Sequence, residues 1–135
     1  MSQENVENVE IVERIFERWA AGDFVAGLTD LAPDAAFVVR HPFPEAVETA
    51  GLEGIREYMR RFLDNWESYA VESRDLRAVG DIVVADAVQR GKGRASGIDM
   101  EQRFFMLFTF RGGKIVRIES ILERDKALEA AGLRE

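Results

Sequence analysis

His41 is the only histidine in the chain, and it stands directly before Pro42. Imidazole is the side chain most easily poised for proton transfer near neutral pH. The run Asp34 to His41 (DAAFVVRH) reads as a strand, so His41 falls at a strand end, where clefts often begin. His41-Pro42-Phe43-Pro44 then breaks regular structure, because proline lacks the N–H that a ladder needs. The alternative is a surface or hydrogen-bonded histidine with no catalytic role. Asp86 interrupts the apolar run IVVADAVQ. A buried carboxylate there could be a raised-pKa acid, or it could pair with Arg90 or Arg103 across a sheet. Glu119 in IVRIES has the same two readings, with Arg117 on its own face. Structural ion pairs at an interface are the expected role of both. Gln89 falls in the phase opposite Asp86, with Val83, Ala85 and Ala87. It would give a pocket one polar handle, or cap a strand end.

Several chemistries have no residues to carry them. There is no cysteine, which excludes disulfides, thiolate metal sites and cysteine nucleophiles. One histidine leaves no zinc ligand set, and neither a metal nor an organic cofactor is expected. GKGRASG holds three glycines but lacks the phosphate-loop spacing and a following helix. The net charge of −7 repels phosphate backbones and no basic face is visible, so no nucleic-acid partner is expected. The start MSQENVENVE has no basic, apolar signal region, and no apolar run nears membrane-spanning length. The expectation is no membrane partner and a cytoplasmic location.

The elements that must position these residues follow from periodicity. The 135 residues suit one domain with a real core, spanning 1–135. Val9, Val12, Phe16 and Trp19 recur at helical spacing, with Ile11 and Ile15 beside them, and Gly22 stops that helix. A weaker helix is expected around Phe24 to Leu31, ended by Pro33. Ile55, Tyr58, Met59, Phe62, Leu63 and Trp66 form the cleanest amphipathic stripe. Tyr69 to Val79 and Ile82 to Gly91 read as strands, and Lys92 to Ile98 as a loop or strand fray. A last helix is expected over Lys126 to Ala131.

The strongest local signal is MEQRFFMLFTFRGGKIVRIESIL, Met100 to Leu122. Two β-rich runs flank Gly112-Gly113, which predicts a hairpin. Four of the nine Phe lie between Phe104 and Phe110, on both alternation phases. A strand apolar on both sides is covered on both sides. One face packs on the chain's own helices. The expected cover of the other is a second copy of the chain, with Asp86, Arg103, Arg117 and Glu119 on that outer side. The order of elements gives an α+β fold, a curved sheet with helices on one face.

Several segments, taken in order, resemble the NTF2-like superfamily, specifically its SnoaL-like, ketosteroid-isomerase-like branch. They are Trp19-Ala20-Ala21-Gly22-Asp23-Phe24, Leu31-Ala32-Pro33-Asp34-Ala35, Gly54-Ile55-Arg56-Glu57-Tyr58, Val79-Gly80-Asp81, and Phe108 through Val116. The resemblance spans nearly the whole chain. It implies a cone-shaped fold, in which a curved antiparallel sheet carries helices packed on its concave face. It also implies a pocket at the open end and a homodimer through the sheet's outer face. In ketosteroid isomerase the general base is an Asp directly before a Pro, and the matching position here is His41. That enzyme's oxyanion hole uses a Tyr on the first helix and a protonated Asp near the last hairpin. The matching positions are Ile15 and Met106, neither of which donates a hydrogen bond. Steroid isomerisation by that mechanism is therefore not implied.

The same comparison puts Met106, Phe108, Val116, Ile118 and Ser120 on the pocket side. The resulting expectation is a small-molecule-binding SnoaL-like protein whose ligand is apolar. The substrate-binding candidates are Ile15, Trp19, Val39, Met59, Phe62, Gln89, Met106, Phe108, Ile118 and Ser120. The catalytic candidate is His41, moving a proton in isomerase-, cyclase- or hydrolase-type chemistry without a cofactor. The alternative is a non-catalytic ligand-binding or accessory dimer using the same pocket. A fold of this kind hosts both, so the choice between them rests on the site.

Overall fold

A computed structural model describes residues 2–24, 26–40 and 47–132. Helix α1 spans Gln3–Ala20. The Ser2 hydroxyl caps it by accepting from the Asn5 N–H at 3.1 Å, and Glu4 sits in the first turn, where the helix dipole favours an acid. Gly22, at φ +87°, turns the chain out of it. Its buried face is Val12, Ile15, Phe16 and Trp19, the apolar stripe seen in the sequence, with Asn8 buried beside them.

A short 3₁₀ turn, Ala26–Asp30, replaces the expected second helix. Leu31 already belongs to strand β1, Leu31–Val39, and Pro33 lies within that strand instead of ending a helix. The pairing of β1 with β6 slips between Leu31 and Ala36, and that irregularity accommodates a residue with no N–H to donate. Strand β2, Val47–Ala50, is short and was not anticipated. Helix α2 runs Leu52–Asp64, and strand β3 starts at once with Trp66–Val79. Trp66 therefore opens a strand and does not continue the helical stripe. Its ring still lies 6.0 Å from that of Phe62, so the periodicity identified the right neighbour in the wrong element. Gly91 makes room for it, since a Cβ there would meet the Trp66 ring at 2.7 Å.

Strands β4 (Ile82–Gly93), β5 (Asp99–Arg111) and β6 (Lys114–Ile121) follow. Gly112 (φ +58°) and Gly113 (φ +80°) form the two-residue turn between β5 and β6, with Arg111 opposite Lys114. Positive φ at both turn residues is why two glycines stand there. Among the described residues, six strands form one curved, unclosed sheet in the order β2-β1-β6-β5-β4-β3. All neighbours are antiparallel except β1 and β6, which run parallel.

Helices α1 and α2 cover one face of the sheet. The main core lies there, with Phe104, Met106, Phe108 and Phe110 of β5 facing Val12, Ile15 and Phe16 of α1. On β6 a bulge near Thr109 and Phe110 of its partner adds one residue, so Ile115 and Ile118 both point into this core. Val116, expected on the pocket face, is the extra residue and is only partly buried.

The opposite face differs from expectation in its cover. Helix α3, Arg124–Ala130, folds back over it, and Ala127 and Ala131 pack on Val84, Leu107 and Ile121. The chain thus supplies part of the second cover itself. The rest of that face carries ion pairs. Asp86 meets Arg103 at 2.7 Å, and Arg90 lies between Glu72 at 2.8 Å and Glu101 at 2.7 Å. The buried Glu119 carboxylate is held by Arg40 and, at 3.5 Å, by Arg117.

Candidate functional site

Between α1, α2 and the inner face of the sheet lies a cavity of about 100 Å³. Every element around it contributes from its inward phase. Helical spacing puts Tyr58, Met59 and Phe62 of α2 on one side. Strand alternation brings Phe37 and Val39 of β1, Tyr69 and Val71 of β3, and Phe104 and Met106 of β5 to the same surface. Trp19 closes the α1 side with Phe24 beside it, and Gln89 of β4 and Ser120 of β6 add polar atoms. Among the described lining residues none carries a charged side chain.

The aromatic rings form a continuous arc. Trp19 stacks on Phe24 at 6.3 Å, and Phe24 tilts against Tyr69 at 5.8 Å. Tyr69 meets Phe62 edge-on at 5.0 Å. Phe62 stacks on Tyr58 at 6.2 Å, and Tyr58 meets Phe37 at 5.3 Å. Each contact is within the range in which aromatic pairs attract. The arc is therefore a wall with its own cohesion.

One polar chain crosses the sheet beside it. The Tyr69 hydroxyl donates to Gln89 Oε1 at 2.6 Å, and Gln89 Nε2 donates to Gln102 Oε1 at 2.9 Å. Register explains the chain, because Val71, Gln89 and Gln102 stand opposite one another across β3, β4 and β5. Tyr69 is two residues from Val71 and reaches Gln89 diagonally. Burial pushes the Tyr69 phenol above its ordinary value, and the neighbouring Tyr58 adds to the rise. The fold thus favours protonated Tyr69, whereas the unfolded chain loses that proton near pH 10. Above that pH the unfolded state binds fewer protons, so stability should fall as pH rises, by up to about 1.4 kcal/mol per pH unit from this group. Urea unfolding at pH 9, 10 and 11 should show that slope, and Tyr69→Phe should flatten it. An unchanged slope in the variant would remove Tyr69 as the cause.

The cavity wall holds Trp19, Val39, Met59, Phe62, Gln89, Met106 and Ser120 from the sequence-derived set. Ile15, Phe108 and Ile118 are not on it; they lie in the core, at 2%, 0% and 4% exposure. Each sits one step further inward on a correctly assigned face: one helical turn before Trp19, two residues past Met106, two before Ser120. The cavity ends before it reaches them. His41 lies outside the described residues. The wall before it is described, since Val39 lines the cavity and the Arg40 N–H donates to the Ser120 carbonyl at 3.0 Å.

Sequence reasoning missed Phe24, Phe37, Tyr58, Tyr69, Val71 and Phe104. Phe37 and Phe104 were legible, since each stands two residues from a chosen position on its own strand. Tyr58 belonged to the recognised α2 stripe. Tyr69 and Val71 gave little signal, because β3 alternates weakly and much of it is exposed.

Residues 12–118 match the SnoaL-like domain family. No curated protein matches the chain in sequence. Among solved structures, a candidate SnoaL-like polyketide cyclase from Jannaschia superposes with a TM-score of 0.79 at 16% identity, covering 100% of this chain and 98% of that one. An NTF2-like protein of unknown function from Burkholderia pseudomallei gives 0.77 at 18% identity, covering 96% and 97%. A hypothetical protein of ketosteroid isomerase-like fold from Catenulispora acidiphila, in complex with trimethylamine, gives 0.73 at 23% identity, covering 93% and 94%. At these identities the structural likeness speaks for the fold, and the family match covers most of the chain. The chain belongs to the SnoaL-like domain family and has its NTF2-like α+β fold.

Proposed function

We propose that the chain binds a small, mostly apolar molecule in the cavity between α1, α2 and the sheet. The observation that carries this reading is the aromatic arc from Trp19 to Phe37 around a space whose described lining is uncharged. Binding sites are typically concave and apolar, with a few polar groups that fix orientation. Gln89, held between Tyr69 and Gln102, is such a group. The Jannaschia neighbour's description as a candidate polyketide cyclase is consistent with a cyclic or carbonyl-bearing ligand.

The test is an unbiased small-molecule screen read by thermal shift. A ligand at about a hundred times its Kd should stabilise the fold by about 2.7 kcal/mol. Met59→Trp, placed on the half-buried α2 side of the cavity, should abolish the shift and keep the fold. Shifts that persist in that variant would locate binding elsewhere and remove this reading.

A catalytic reading is favoured by one feature, the attachment of the end of β1 to β6 at Ser120, a cavity residue. His41 follows directly in sequence, and in this reading it moves a proton on the bound molecule without a cofactor. The alternative is a binding or accessory protein with no turnover.

The proposal includes a cytoplasmic homodimer through the outer face of the sheet, with α3 in the contact. Obligate interfaces of this kind bury about 2,000 Å² or more in total. Light scattering at micromolar concentration should give twice the chain mass. A monomer would mean that α3 and the ion pairs suffice to cover that face.

A further inference from the structure

Ser120 shares the inward phase of β6 with Ile118, and it lies on the cavity wall. Its backbone is fixed between Val39 of β1 and Met106 of β5, and its carbonyl accepts from the Arg40 N–H at 3.0 Å. Its hydroxyl has no hydrogen-bond partner among the described residues. Two other unpaired side-chain atoms, Trp19 Nε1 and Asp86 Oδ1, are sealed within the chain and out of a ligand's reach. Ser120 Oγ is unpaired without being sealed. The residue is 6% exposed, so the little surface it keeps belongs to the wall. Buried polar groups are almost always satisfied, and an unsatisfied one that opens onto a cavity is a place for a ligand atom. Water suits the place poorly. It makes about three hydrogen bonds when buried, and the sheet neighbours Val39, Met106 and Ile118 offer it no second polar side chain. The other polar part of the wall is distant. Gln89 stands opposite Gln102, four residues before Met106 on β5, which puts it about 13 Å along the strand from Ser120. Ser120 and Gln89 are thus separate points of contact, and one ligand oxygen cannot serve both.

We propose that Ser120 sets the selectivity of the cavity: its hydroxyl donates to a single carbonyl oxygen on an uncharged ring compound, whose ring lies on Met106 and Phe104. The inference rests on the binding reading above and adds the chemical class and the residue that reads it. Counting hydrogens selects the carbonyl. Ser120 brings one O–H, and a carbonyl brings an acceptor and no hydrogen, so a single bond satisfies both. A ligand hydroxyl brings a second hydrogen. A bond between two hydroxyls then leaves one hydrogen unpaired among apolar side chains. A hydrocarbon leaves Ser120 unpaired as before. A carboxylate would lose its water and find no cation on the described wall.

The experiment uses the full chain, Ser120→Ala and three neutral probes, acetophenone, 1-phenylethanol and ethylbenzene. Each probe has one ring, to suit a cavity of about 100 Å³. Binding in the cavity is read from the methyl resonances of Met59 and Met106, which all three should move. Acetophenone should bind wild type about tenfold tighter than 1-phenylethanol, a compound of similar hydrophobicity. In Ser120→Ala acetophenone should weaken about tenfold, whereas ethylbenzene should hold its affinity. In wild type the carbonyl stretch of bound acetophenone should fall below its value in an alkane, and in the variant it should return to that value. The infrared reading in wild type does not depend on how well the variant folds. A stretch at the alkane value in wild type, or an acetophenone affinity that Ser120→Ala leaves unchanged, overturns the inference and leaves the binding reading standing. Binding of 1-phenylethanol as tight as that of acetophenone overturns the carbonyl class. If no probe moves the two methyl resonances, the binding reading falls for single-ring compounds, and this inference with it.

Discussion

Phe108→Ala should lower the free energy of unfolding by about 3–5 kcal/mol. The ring is fully buried, and it meets Phe16 of α1 edge-on at 6.0 Å. Across the sheet it stands between Val83 of β4 and Ile118 of β6, both buried on the same inner face. Neighbours of this kind have little freedom to collapse into the space. The backbones of three paired strands fix one side, and α1 fixes the other. The cost should therefore fall toward the upper part of the range for large-to-small changes. Urea melts should show a lower midpoint with an unchanged slope, the mark of lost stability without a changed unfolded state. A loss below about 1 kcal/mol would mean that the site relaxes, and that Phe108 is not central to this core. Because Phe108 lies beneath the cavity wall and not on it, the variant should keep the affinity of wild type for a cavity ligand. That separation between stability and binding would not hold for Met106, two residues away on the wall.

What the sequence revealed was periodicity, and periodicity is what the sheet and helices consume. The hairpin at Gly112-Gly113, the α1 stripe and the α2 stripe all follow from side chains that must share a face. Errors arose where one residue answers to two rules. Pro33 is a helix breaker in most contexts, yet it sits inside β1 at a point where the pairing slips. Trp66 keeps the helical spacing of Phe62 while already belonging to β3. Val116 alternates correctly with Ile118 on paper, but a bulge shifts the count by one and sends Ile115 inward instead. A bulge has no reliable signature in a single sequence, because the backbone geometry at one pair decides it.

The two-sided apolar character of β5 is borne out, and part of the cover on its outer face comes from the chain's own helix α3. Helix α3 was recognised as a helix, and nothing in its seven residues said which face it would reach. The cavity shows the same limit in depth. Alternation tells which side a strand residue faces, and Phe108 and Ile118 do lie on the inner face, in the same core as Ile15 of α1. Where a cavity stops along that side depends on how closely the helix approaches the sheet, a distance set by all the side chains between them. The Tyr69–Gln89–Gln102 chain illustrates it, since three polar residues on three strands meet only through register.

His41→Gln should reduce turnover by about 10²–10⁴-fold, the usual loss for a general base, if the bound molecule is transformed by proton transfer. The case for His41 is chemical. It is the single histidine, it follows a strand whose last residue lines the cavity, and in the proposed catalytic reading it takes the place that the resemblance to ketosteroid isomerase implies for a base. Glutamine keeps size and hydrogen-bonding capacity while removing the exchangeable proton site, so fold, oligomeric state and ligand affinity should match wild type. The loss should then appear in kcat and leave binding unchanged, which marks an interaction made in the transition state. A base works in its unprotonated form, so wild-type rate should also drop as pH is lowered through the range, about 5–8, in which imidazole takes up its proton. The variant should lose that limb of the profile. The buried apolar residues at Ile15 and Met106 give no donors for an oxyanion, so any rate enhancement has to come from other groups at the cavity. Equal turnover in variant and wild type would remove His41 from the mechanism. A ligand that binds wild type tightly and is returned unchanged would instead establish the non-catalytic alternative, with the cavity kept for recognition alone.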